Sequence, residues 1–84
     1  MPPFLQIVLD KFVDSYYQEK KNIRYDRDAI LNLCLYFSCV MDNEIKTKRN
    51  PNEIKKYKNL KMYGLDYIKY NKKTITNYLN LQTR

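Results

Sequence analysis

Apolar residues recur along this chain at three- and four-residue steps, and that spacing organises it into helices. Leu5, Val8, Leu9, Phe12, Val13, Tyr16 and Tyr17 fall on one side of a first helix expected from about Pro3 to Lys20, while Asp10, Lys11, Asp14 and Gln18 fall on the other. Pro2 and Pro3 suit its opening turn, where a missing N–H costs nothing. Asn22 to Tyr25 is expected to connect to a second helix capped by Asp26 or Asp28, with a body from Ala29 to Met41. The apolar residues of that body point in nearly every direction. Such a helix is either central to a bundle or partly covered by another protein.

Asp42 to Asn50 is predicted as a polar, mostly basic linker. Asn50-Pro51-Asn52-Glu53 then supplies an N-cap residue, a proline at N1 and an acidic residue at N3, the clearest boundary in the chain. Beyond it Ile54, Tyr57, Leu60, Gly64, Leu65 and Ile68 form one stripe, opposite Lys55, Lys58, Asn59, Asp66 and Lys69. A glycine inside a helix costs about 1 kcal/mol relative to alanine. Gly64 therefore marks either a break near Tyr63 or the close approach of another helix. Asn71 is expected to end this helix in a left-handed conformation, and Thr74 to cap a short last helix holding Ile75, Tyr78, Leu79 and Leu81. With one glycine and three prolines the chain lacks the turns a sheet needs. The expected fold is all-α, a small bundle of three to four helices forming one domain over residues 1–84.

Charge divides the chain in two. Residues 1–42 carry five Lys/Arg against six Asp/Glu, whereas residues 43–84 carry eleven against three, so nearly all of the net charge of +7 lies in the second half. The near-neutral half reads as the packing half, and the basic half suits a polyanion or an acidic partner. Lys, Asn, Ile and Tyr also share AT-rich codons, so basicity by itself carries reduced weight.

Much chemistry is disfavoured. The chain has no histidine and only two cysteines, Cys34 and Cys39, which stand about 140° apart on a helix and cannot bridge within it. No zinc-ligand spacing exists, and the two thiols are expected to be buried and reduced, in an intracellular reducing compartment. Asp42 and Glu44 lack the further oxygen ligands a cation needs. No glycine-rich phosphate loop is possible, no span is long enough to cross a bilayer, and no signal or transit peptide is evident. Neither catalysis nor a cofactor is expected.

The candidates are surfaces. Tyr67 to Leu79 resembles the second half of a helix-turn-helix unit, in which Thr74, Thr76 and Asn77 would reach base edges and Lys72 and Lys73 would hold phosphates. Lys46, Lys48 and Arg49, placed in the linker, together with Lys55, Lys56, Lys58, Lys61 and Lys69, could follow a phosphate backbone. Tyr63, Tyr67 and Tyr70 could stack on unpaired bases. Nine tyrosines exceed what a core this small buries with paired hydroxyls, so Tyr16, Tyr17, Tyr36, Phe37, Tyr63, Tyr67 and Tyr70 are candidate protein-interface residues. The leading expectation is a non-catalytic subunit or adaptor docking into a larger protein or ribonucleoprotein assembly, or forming a homo-oligomer. The alternatives are an autonomous DNA- or RNA-binding protein and a small viral or phage-type inhibitor of a host protein.

Overall fold

The computed structural model describes residues 1–19 and 27–82, with side chains over 1–15 and 28–81. Four helices follow one another: α1 (Pro3–Glu19), α2 (Arg27–Thr47), α3 (Pro51–Tyr70) and α4 (Lys72–Gln82). No strand occurs among the described residues. The protein is all-α, as its periodicity predicts. Lys20, the Asn22–Tyr25 connection and Asp26 lie outside the described residues.

The N-terminus of α1 is closed by Pro2, whose carbonyl accepts from the Leu5 and Gln6 N–H groups at 3.1 Å each. Asn50 caps α3 as expected: its side chain accepts from the Asn52 N–H at 2.9 Å, and Pro51 occupies the first turn.

Two expected boundaries are corrected. The polar segment after Met41 is not a linker, because α2 runs on to Thr47, and Lys48 to Asn50 alone join it to α3. Ile45 supplies the reason: four residues after Met41 and half-buried, it continues the inward stripe for another turn. Asn71 does not adopt a left-handed conformation but sits at φ −117°, ψ 31°. Its N–H and side-chain amide both donate to the Tyr67 carbonyl, at 3.0 and 2.9 Å, and its own carbonyl accepts from the Ile75 N–H at 2.9 Å. One residue thus satisfies the end of α3 and the start of α4. Thr74 is left exposed inside α4 rather than capping it.

The packing frame is an antiparallel hairpin of α2 and α3. Phe37 meets Gly64, Lys61 reaches back to Asp42, and Lys48 lies over the Tyr57 ring. Gly64 is the point of closest approach: a Cβ there would overlap the Phe37 ring, and α3 passes through it without a break. α1 lies across one side of this hairpin. Its Phe12 ring stands 5.6 Å from Tyr36, and Phe4 sits between Phe37 and Tyr63 at 6.2 and 6.3 Å. α4 folds back onto α1, where the Tyr78 hydroxyl donates to Asp10 at 3.1 Å and accepts from Gln6 at 3.4 Å. The core contains Leu5, Leu9, Phe12, Leu33, Phe37, Ile68, Ile75 and Leu79, all closed to solvent and drawn from all four helices. Among the described residues no polar side chain is buried.

The notch at Gly64 gives a signed prediction. Gly64→Ala should gain about 1 kcal/mol of helix propensity and lose about 1–3 kcal/mol to overpacking, leaving the protein less stable. In a Phe37→Leu background the same change should stabilise, because the shorter side chain vacates the space. Urea midpoints of the four proteins in this cycle check it; a midpoint that rises on Gly64→Ala alone would mean that the ring yields freely.

Candidate docking face and basic surface

Because α1 covers only one side of the hairpin, the opposite side of α2 and α3 is left open. At about 100° per residue, Leu31, Leu35 and Ser38 on α2, and Lys58, Met62, Leu65 and Lys69 on α3, fall on the side turned away from α1. Burial agrees with this assignment. Leu31 is 62% exposed, Leu35 69% and Met62 66%, whereas Leu65 is half-buried at the hairpin seam. Cys39 continues the stripe one turn beyond Leu35 and is also exposed, and Cys34 is half-buried. The expectation of two buried thiols is therefore corrected. Burial raises the Cys34 pKa, and the nearby Lys69 and Lys72 pull it back only in part, so this thiol stays protonated at neutral pH.

The aromatic candidates separate. Phe37 is corrected from interface to core, since it is wholly enclosed against Gly64. Tyr36 is half-buried beside Phe12, and Tyr63 and Tyr67 stand 6.1 Å apart in a run with Phe4, leaving Tyr63 52% exposed. Tyr70 is 87% exposed. The side chains of Tyr16 and Tyr17 lie outside the described residues.

The basic candidates separate as well. Lys46, expected in a linker, is in the last turn of α2. Lys48 is half-buried, 3.5 Å from Glu44 and 4.8 Å from the Tyr57 ring centroid, so much of its charge is engaged within the chain. Arg49 is exposed in the short connection. Lys61 pairs with Asp42 at 2.7 Å. Lys55, Lys56, Lys58, Lys69, Lys72 and Lys73 are exposed and, among the described residues, form no ion pair.

Two clefts gather some of these groups. One, of about 300 Å³, is lined by Ile30 of α2 and by Lys72, Lys73, Thr76 and Asn77 of α4. The other, about 480 Å³ and shallow, follows one side of α3 through Asn52, Lys55, Lys56, Asn59, Leu60 and Tyr63. The link of three residues expected at Asn71–Lys73 is a single residue, shorter than the three- to four-residue turn of helix-turn-helix units. Lys72 and Lys73 are consequently helical and share the first turns of α4 with Thr76 and Asn77.

No known protein family, characterised protein or solved structure matches this chain. Among the described residues no group of three or more acidic or thiol side chains could hold a metal ion, and no helix is long and apolar enough to cross a membrane. The sequence anticipated uncovered apolar surface on α2 without saying where. Leu31, Leu35 and Met62 escaped notice because aliphatic residues in a helix are read first as core, and only the position of α1 reveals which side stays open.

Proposed function

We propose that this chain is a non-catalytic helical subunit or adaptor that docks into a larger protein or ribonucleoprotein assembly through the open face of its α2–α3 hairpin. One observation carries the reading: Leu31 and Leu35, one turn apart, are each more than half exposed on the side that α1 leaves uncovered. A leucine moved from water into a contact contributes about 1.5–3 kcal/mol, so a few such side chains supply much of the energy of a modest interface. The test is a Leu31→Glu/Leu35→Glu variant, which alters only exposed side chains. It should keep the wild-type unfolding transition and lose the proteins that co-purify with the wild-type chain. A variant that keeps both its fold and all of its partners would remove this face from the reading.

The cleft at the start of α4 favours a second reading, contact with a nucleic-acid backbone. Lys72 and Lys73, both without ion pairs among the described residues, sit there beside the hydrogen-bonding side chains of Thr76 and Asn77. Each phosphate neutralised on a duplex adds about 0.9 to the slope of log affinity against log salt. Lys72→Glu/Lys73→Glu should therefore weaken binding to random-sequence DNA or RNA and flatten that slope by about two. An unchanged slope would exclude the cleft, and negligible binding near physiological salt would remove the reading.

A further inference from the structure

We infer that the occupant of the open α2–α3 face is an amphipathic helix whose apolar stripe is flanked by acidic residues. The inference rests on the docking reading above and names its partner. Shape gives the first half of it. Two antiparallel helices lying side by side leave a shallow trough along their seam, and a third helix fits such a trough by laying down side chains at i, i+3 or i+4, and i+7. The hairpin register set by Phe37 on Gly64 and Lys61 on Asp42 arranges Leu31, Leu35, Leu65 and Met62 in a diagonal band across the seam. From the level of Leu31 to that of Met62 the band spans about nine residues of α2, or about 14 Å at 1.5 Å per residue, which matches two to three turns of a docked helix.

Charge gives the second half. Lys69 lies beside the upper end of the band, next to Cys34, and Lys58 lies beyond its lower end; both are exposed and neither has a carboxylate partner among the described residues. Of the carboxylates bordering this side of the seam, Asp42 is already held by Lys61 at 2.7 Å, and the exposed Asp28 and Asp66 at its outer edges are outnumbered by the exposed Lys46, Lys55, Lys58 and Lys69. The rim of the trough therefore presents an excess of positive charge around an apolar floor. A second copy of this chain is a poor occupant: it would bring Lys58 and Lys69 of two molecules, each of net charge +7, against one another. An acidic helix instead neutralises the rim while its apolar stripe covers the leucines, so the same geometry that repels a copy attracts this partner.

The probe is a fluorescein-labelled synthetic peptide of about 18 residues, long enough to hold a helix in isolation, with leucines at the spacing above flanked by glutamates. A counterpart carries lysine in place of every glutamate. Anisotropy titrations should show the acidic peptide binding at least about tenfold more tightly than the basic one. Leu31→Glu/Leu35→Glu should weaken the acidic peptide by about tenfold or more, and Lys58→Glu/Lys69→Glu should weaken it while improving the basic peptide. Both double variants alter exposed side chains and should unfold at the wild-type midpoint, so a lost signal is not a lost fold. Equal binding of the two peptides, indifference to both variants, or a concentration-dependent dimer that Leu35→Glu abolishes would each overturn the inference. If the acidic peptide fails while Leu31→Glu/Leu35→Glu still loses its co-purifying proteins, the partner is of another chemistry and the docking reading stands. If that variant keeps all its partners, the docking reading itself falls.

Discussion

Phe37→Ala is expected to remove a large fraction of the protein's stability, about 3–5 kcal/mol. The ring is fully enclosed, faces Phe4 of α1 on one side and fills the notch at Gly64 of α3 on the other, so its removal empties a place where three helices meet. Truncating a buried phenylalanine costs about 3–5 kcal/mol, and the cost is highest where neighbours cannot collapse into the space. Here the backbone at Gly64 has no side chain to offer. Domains carry about 0.05–0.15 kcal/mol of stability per residue, which for this chain gives about 4–13 kcal/mol in all. Far-ultraviolet circular dichroism against urea checks the expectation; a midpoint within about 1 kcal/mol of wild type would mean that the hairpin closes without the ring.

Ending the chain after Asn71 should have the second large effect. α4 is short, and helices of its length do not persist in water unaided, so its presence depends on packing. In return it delivers Ile75 and Leu79, both closed to solvent, to a core that also holds Leu5, Leu9 and Ile68. Two such side chains contribute about 3–6 kcal/mol together, a large part of the total. The Tyr78 hydroxyl that ties α4 to Asp10 and Gln6 of α1 is lost with them. The truncated chain should lack a cooperative transition and near-ultraviolet signal. A sharp thermal transition would show instead that α1 to α3 suffice.

The helices were legible because their signals are local. The proline and capping residues at Asn50 and Pro51 and the stripe from Ile54 to Ile68 are read within a few residues, and they place α3 correctly. The end of α2 is hidden for the opposite reason. Asp42, Asn43, Glu44 and Lys46 make the segment look like a loop, whereas a helix needs only one inward residue per turn, and Ile45 provides it. Asparagine tolerates the left-handed conformation, which makes Asn71 resemble such a cap in the sequence; its hydrogen bonds to Tyr67 and Ile75 make a tighter junction that composition does not reveal.

Surface readings depended on tertiary placement in the same way. Gly64 announced a close approach but could not say that Phe37 was the approaching group, so Phe37 stood among the interface candidates. The exposed lysines are found by type, yet the pairing of α2 with α3 decides that Lys61 meets Asp42 and that Lys48, already within reach of Glu44 four residues back, also lies over the Tyr57 ring. Leu31 and Leu35 differ from Leu33 only in direction. Nothing but the position of α1 separates contact surface from core.

The Gly64 notch also settles how the two long helices lie along one another. Antiparallel helices with apolar seams can slide past each other by a turn, about 5.4 Å, and still bury comparable surface. If α3 slid by a turn either way, Leu60 or Ile68 would arrive opposite Phe37, where only a residue without a side chain fits. The glycine thus acts less by what it contributes to the aligned hairpin than by what it denies to the displaced ones. A bundle with so few core residues keeps a single alignment because one position along its seam accepts the ring and the neighbouring turns refuse it.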